Sequence, residues 1–104
     1  MEQLPKPYLE FRERFPQLAD AYDRLGEAAH QSGPLDEKTR QLVKLALSVG
    51  AGHEGAVHSH TRRAMDAGAT KEELFQVLAL AVTSIGFPPT VAAYTWVTDE
   101  LKQK

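Results

Sequence analysis

Three of the four histidines in this chain lie within eight residues, at His53, His58 and His60. The unperturbed pKa of histidine lies near neutral pH, so such a group is typical of proton transfer or metal binding. At about 100° per residue of a helix, His53 and His60 fall within about 20° of each other, on a side with small residues such as Ala56. We therefore expect both imidazoles to point inward. His58 is expected on another side, toward solvent or an interface, in an ordinary i,i+4 pair with Glu54.

The spacing of these histidines does not favour a metal site. The Cα atoms of His53 and His60 would lie about 10 Å apart along a helix axis, at 1.5 Å per residue. The pattern His-Glu-x-x-x-His also differs from the His-Glu-x-x-His spacing of zinc proteases. One ion could join the two only with strained geometry or with a ligand from elsewhere, such as Glu54 or Glu37. We therefore predict no metal and no cofactor, and keep a metal-dependent enzyme as an alternative.

His60 suits acid–base chemistry, because Ala56 and Ala64 lie one turn away on either side and leave space beside the ring. The alternative is a core histidine that is satisfied by a hydrogen bond to a neighbouring carbonyl or carboxylate. The chain contains no cysteine. This absence excludes disulfides, thiolate ligands and thiol nucleophiles.

The hydrophobic periodicity is helical throughout, so we predict an all-α fold of five to six helices in one domain, residues 1–104. Asp36 is expected to cap the third helix, and Thr70 with Glu73 is expected to form the capping box of the fifth. The helices are predicted at 8–14, from Pro16 to near Gly33, from Asp36 to the Gly50-Ala51-Gly52 stretch that ends the third helix, at 53–67, from Thr70 to Gly86, and at 90–102. The break at Gly86-Phe87-Pro88-Pro89 either shapes a pocket wall at Phe87 or is a plain interruption.

The fifth helix has almost no polar face. A helix that is apolar all round must be covered all round, which is difficult within a monomer of 104 residues. We therefore expect a homo-oligomer, the alternative being a central core helix in a monomer. Its apolar residues are Leu74, Phe75, Val77, Leu78, Ala79, Leu80, Ala81 and Val82.

Composition limits the remaining partners. The net charge is −2, with 42% hydrophobic and 25% charged residues and no basic patch, so nucleic acid is not expected as a partner. No apolar run reaches the roughly 18 residues of a membrane span. The first seven residues lack the apolar segment of a signal peptide, so we expect a cytoplasmic protein with a small-molecule substrate or ligand.

Taken together, these motifs resemble the carboxymuconolactone decarboxylase family, which also contains the alkylhydroperoxidase D-like proteins. The order is Leu35-Asp36-x3-Arg40-Gln41-Leu42, an apolar helix, Gly52-x7-His60-x3-Ala64-x3-Gly68-Ala69-Thr70-x-Glu72-Glu73-Leu74, and a second apolar helix that ends in Gly86-Phe87-Pro88. The resemblance covers about residues 16–101. It implies an all-helical, alkylhydroperoxidase D-like bundle that assembles into dimers, trimers or hexamers.

The alkylhydroperoxidase D-like branch has a glutamate followed by Cys-x-x-Cys-x3-His. Counted back from His60, the two cysteine positions fall at Ala56 and His53, and the glutamate falls at or beside Gln41. The resemblance therefore retains the histidine and lacks both thiols. Thiol peroxidase chemistry requires a thiolate, so this chain cannot perform it in that way.

The decarboxylase branch also lacks the cysteine pair and acts on a small carboxylated lactone. The resemblance implies that His60 is the general acid/base and that His53 handles a second proton or contacts the substrate carboxylate. The pocket is expected to include Ala56, Gln41, Glu54 and Phe87. The alternative is a non-catalytic oligomer that binds small molecules and has lost the thiol chemistry of the family.

Overall fold

The computed structural model describes residues 4–102 and contains only helices among them. This confirms the all-α prediction. The contacts divide the chain into two compact units, with the boundary between Leu35 and Asp36, and the expectation of a single domain stays a prediction. The helices are α1 (Lys6–Arg14), α2 (Pro16–His30), α3 (Glu37–Ala51), α4 (Glu54–Asp66), α5 (Lys71–Ile85) and α6 (Phe87–Leu101).

The first unit contains α1 and α2, each of which has proline in its first turn. Proline is tolerated there because the first-turn amides have no partner within the helix. Arg12 joins the two helices, with its Nη1 atom 3.0 Å from Oδ1 of Asp23. The apolar side chains Leu18, Tyr22 and Leu25 of α2 are exposed.

The second unit contains α3 to α6 around one core. α4 packs against α3 and α6, and α5 packs against the same two helices. A helix buries one stripe at 3.6-residue spacing, so each of the four contributes a few inward side chains. The buried apolar residues of this core are Leu45, Val49, Val57, Ala64, Leu74, Leu78, Ala93 and Val97.

Two helix caps in the second unit confirm the predicted starts of α3 and α5. Asp36 Oδ1 accepts a hydrogen bond of 2.8 Å from the amide of Thr39. Thr70 Oγ1 accepts from the amide of Glu73, and Glu73 Oε1 accepts from the amide of Thr70, which is the full capping box. These bonds satisfy amides that have no partner within their helices.

The sixth helix begins three residues earlier than predicted. Gly86, with φ of 86°, is the whole interruption, and Phe87 is already helical. Pro88 and Pro89 occupy the first turn, where a missing amide costs no hydrogen bond. The expected break of four residues is therefore a turn at one glycine. Within residues 4–102, no helix is both long and apolar enough to cross a membrane.

Candidate functional site

The start of α4 decides where the histidines lie. Gly52 closes α3 in the left-handed conformation, with φ of 70°, and His53 is the extended N-cap of α4. The helix therefore begins at Glu54, and its buried face consists of Val57, Thr61 and Ala64. His53 is exposed. The prediction that His53 points inward beside His60 is wrong, because His53 precedes the helix on which that spacing was counted.

His60 lies at the edge of this buried face and is half-buried. Its Nδ1 atom lies 3.1 Å from Oε1 of Gln41 on α3, and Gln41 is only 5% exposed. An amide oxygen only accepts hydrogen bonds, so Nδ1 of His60 donates. The basic nitrogen of the neutral ring is then Nε2. The structure thus brings together two of the predicted site residues from two helices.

Three basic residues lie on the same two helices as this pair. Lys44 lies one turn beyond Gln41 on α3, and Arg63 lies one turn beyond His60 on α4. Burial lowers the pKa of Lys44, and the neighbouring charges of Arg63 and Arg40 lower it further. We call this stretch of surface, formed by Gln41, Lys44, His60, Arg63 and Arg40, the α3–α4 seam. Its charge suits a bound carboxylate or another small anion.

His58 takes a different position from the one predicted. It is half-buried and faces α6, where its Nδ1 atom lies 2.6 Å from Oε2 of Glu100. Its Nε2 atom lies 3.3 Å from Oε2 of Glu54, which confirms the i,i+4 pair. Nη1 of Arg62 lies 3.2 Å from the same oxygen of Glu100. Glu100 is only 8% exposed, and two side chains of α4 contact its Oε2 atom.

Glu100 is a structural partner of α4 that the motifs did not indicate, although the sequence contains a signal for it. Glu100 lies three and seven residues after Val97 and Ala93, both of which are fully buried. A carboxylate on such an apolar stripe requires a cationic partner. The sequence could not identify that partner, because His58 is 42 residues away.

The other predicted pocket residues are separated. Ala56 is half-buried on α4, one turn before His60. Glu54 lies on the α6 side of α4 with His58, away from the seam. Phe87 is 67% exposed at the start of α6, where it lines an apolar groove with Tyr94 of the same helix. The predicted set is therefore divided among three places on the surface.

Two apolar grooves run beside α5. The groove against α3 has a volume of about 360 Å³ and is lined by Leu42, Val43, Val77, Leu80 and Ile85, among others. The groove against α6 has a volume of about 430 Å³, and Phe75 stacks on Tyr94 within it at a ring-centroid distance of 5.9 Å. Leu80, on the outer side of α5, is 60% exposed. The helix predicted to need cover on all sides is thus only partly covered within one chain.

Metal-binding geometry is absent from the part of the chain that the structure describes. No three histidine, aspartate or glutamate side chains among residues 4–102 converge as ligands of one ion would. Within the histidine-rich stretch, His58 instead contacts α6 and His60 contacts α3.

Known proteins resemble this chain over most of its length. The sequence model of the carboxymuconolactone decarboxylase family matches residues 16–99. A crystal structure of a carboxymuconolactone decarboxylase family protein from Legionella pneumophila superimposes with a TM-score of 0.79 and 29% identity, covering 93% of this chain and 86% of that one. An uncharacterized protein of Methanocaldococcus jannaschii is 33% identical over 75% of this chain and 73% of its own length. One of Cupriavidus necator is 33% identical over 75% and 69%.

Proposed function

The chain belongs to the carboxymuconolactone decarboxylase family, and from this premise we propose that it is a cofactor-independent lyase or decarboxylase for small carboxylated molecules. His60 is its general acid/base. The observation that supports this proposal is the 3.1 Å contact between His60 Nδ1 and Gln41 Oε1, which orients the ring. The second catalytic candidate, His53, lies exposed at the N-cap of α4, where it contacts a substrate carboxylate or carries a second proton.

The reaction that suits this arrangement begins with loss of CO₂ from a carboxylate beside an enol lactone carbonyl. The bond between the carboxylate carbon and its neighbour breaks, and its electron pair passes into the conjugated carbonyl system. Cations near the developing negative charge lower the barrier. Lys44 and Arg63 supply such charges at the seam. Protonated His60 then donates a proton to a carbon of the resulting carbanion equivalent, which gives the neutral product.

The experiment is a panel of carboxylated enol lactones assayed for release of CO₂ by the wild-type protein and by His60→Gln. Loss of a general acid/base lowers kcat about 10²- to 10⁴-fold. His58→Gln is the matched control, because His58 faces α6 on the other side of α4. Undiminished turnover by folded His60→Gln would contradict the proposal, as would equal losses in the two variants.

A non-catalytic binding protein is the second candidate function. The supporting observation is the residue that contacts His60, which is the amide Gln41. The resemblance implies that the carboxylate of the peroxidase-type pattern falls at or beside this position. This candidate predicts saturable binding of small carboxylates with no turnover of any panel member. Isothermal titration calorimetry on the same panel separates the two functions.

We also propose that the grooves beside α5 are covered by further copies of this chain. Both grooves are lined mainly by apolar side chains, and a large exposed apolar surface is typical of an interface. Leu80→Lys places a charge on this surface, so we expect it to dissociate the assembly. Leu80→Met keeps the surface apolar and is the control. Light scattering after size exclusion measures the mass, and an unchanged assembly in Leu80→Lys would contradict the proposal.

A further inference from the structure

A second polar network lies on the side of α4 that faces α6, away from the seam. It consists of Glu54, His58 and Arg62 on α4 and Glu100 in the last turns of α6. Glu100 is buried, whereas the side chain of Glu54 is 60% exposed. The network therefore has a buried arm, His58–Glu100, and an exposed arm, His58–Glu54.

The number of protons on His58 decides how many of these contacts are hydrogen bonds. Both ring nitrogens face carboxylate oxygens, at 2.6 Å for Nδ1 and 3.3 Å for Nε2. An ionised carboxylate only accepts, and a neutral imidazole has one N–H. Only the imidazolium form can donate to Glu100 and Glu54 at once. The neutral ring can satisfy one of them.

We propose that Glu54, His58, Glu100 and Arg62 form a clamp in which His58–Glu100 ties the end of α6 to α4 whether His58 carries one proton or two, while the second proton adds the contact with Glu54 on α4 itself. Protonated His58 bridges both carboxylates. When the ring loses a proton, the proton that leaves is the one on Nε2, because the 2.6 Å contact holds the other between Nδ1 and Glu100. The exposed arm is then released, while the buried arm persists.

The charges around the ring support this order of events. On α4 the groups that face the network are Glu54 and Arg62, and on α6 the group is Glu100. Nη1 of Arg62 lies 3.2 Å from the oxygen of Glu100 that also contacts Nδ1 of His58, so a cation lies beside the buried arm. Elsewhere at the end of α6, Asp99 and Lys102 are exposed and lie 3.9 Å from each other.

The third element in contact with this helix is α3, which packs on the opposite side of α4. Its charged groups there, Lys44 and Arg40, lie near Arg63 and so belong to the seam. Neither belongs to the network around His58. Among the described residues, the charged groups in contact with the His58 network therefore lie on α4 and α6.

The first test is nitrogen-15 NMR of the histidine rings in the full chain across the pH range in which it stays folded. We expect the doubly protonated ring at low pH, and the tautomer that keeps hydrogen on Nδ1 at high pH. A neutral ring with hydrogen on Nε2 would overturn the proposal. The proposal would also be overturned if the His58 ring were neutral at every pH at which Nε2 still contacts Glu54.

The second test is a pair of double-mutant cycles followed by urea unfolding. Glu54→Gln and His58→Gln should couple by about twofold in the unfolding constant at low pH, as for an i,i+4 ion pair, and not at high pH. Glu100→Gln and His58→Gln should couple at both pH values. Glu100→Gln keeps the volume of the side chain, so it is expected to fold, and Glu72→Gln on α5 is the control. Equal pH dependence in the two cycles would refute the clamp.

Discussion

Nδ1 of His60 lies 3.1 Å from Oε1 of Gln41, so one hydrogen bond joins the middle of α4 to the first turns of α3. It sets both the position of the ring and the nitrogen that carries the proton. Because Gln41 is buried, the amide has little freedom to turn away. This contact orients the ring for the acid–base role that we propose for His60, whereas spacing in the sequence was equally compatible with a passive core histidine.

Removal of this hydrogen bond is the first prediction. Gln41→Leu keeps most of the side-chain volume and leaves Nδ1 of His60 without its acceptor. We expect the free energy of unfolding to fall by about 1 kcal/mol and kcat to fall more than KM rises. Urea unfolding and steady-state kinetics measure the two effects, with the exposed Gln76→Leu as control. Normal kcat in a folded Gln41→Leu protein would show that the contact does not orient the ring.

The charge of the seam leads to the second prediction. Lys44→Gln and Arg63→Gln each remove one cation, so each should weaken the binding of malonate roughly tenfold. Lys71→Gln, in the first turn of α5, removes the same charge elsewhere. Calorimetry with malonate as the probe measures the affinities. If all three variants bound it equally, the seam would not be the anion site.

The same variant, Lys44→Gln, should also change how the free energy of unfolding depends on pH. Burial and two neighbouring cations lower the pKa of Lys44 in the folded state, so at pH values near that lowered pKa the unfolded chain binds more protons. Stability therefore rises with pH through this range. The variant lacks the titrating group and should show less of that rise.

Acid stability gives the third prediction. The pKa of Glu73 is lowered below its usual 4.5, mainly by the hydrogen bond from the amide of Thr70 and next by the hydrogen bond from the side chain of Lys38. Stabilisation by this carboxylate is thus fully present above about pH 4.5 and is lost as the pH falls through the lower, folded-state value. Glu73→Gln should lose less stability between pH 6 and pH 3 than wild type, measured by urea unfolding. Glu72→Gln, beside it in the same turn, should behave like wild type.

The turn before α4 gives the fourth prediction. Gly52 has φ of 70°, so Gly52→Ala should cost about 1 to 2 kcal/mol of unfolding free energy. Gly50 lies two residues earlier within α3, with nothing within 4 Å of an added Cβ atom. Gly50→Ala should therefore leave stability unchanged or raise it by up to about 1 kcal/mol. Thermal unfolding of the pair measures the difference, and equal costs at both positions would contradict this account.

Local chemistry made the helices predictable. Asp36 and the Thr70–Glu73 pair satisfy amides within three residues of themselves, so short sequence patterns suffice to locate them. The same holds for Gly52, which ends α3. The predicted start of α4 differs from the observed one by one residue. His53 is the N-cap and not part of the helix, so helical spacing does not give its direction.

The sequence by itself determined the helical class, the family, the absence of thiol chemistry and His60 as the candidate acid/base. Each of these depends on residue type or on spacing along one helix. Only the tertiary structure decided that Gln41 holds His60 and that Glu100 holds His58, because these contacts join residues 19 and 42 positions apart. Helical periodicity gives the side of a helix on which a residue lies. The packing of α4 between α3 and α6 decides what that side meets.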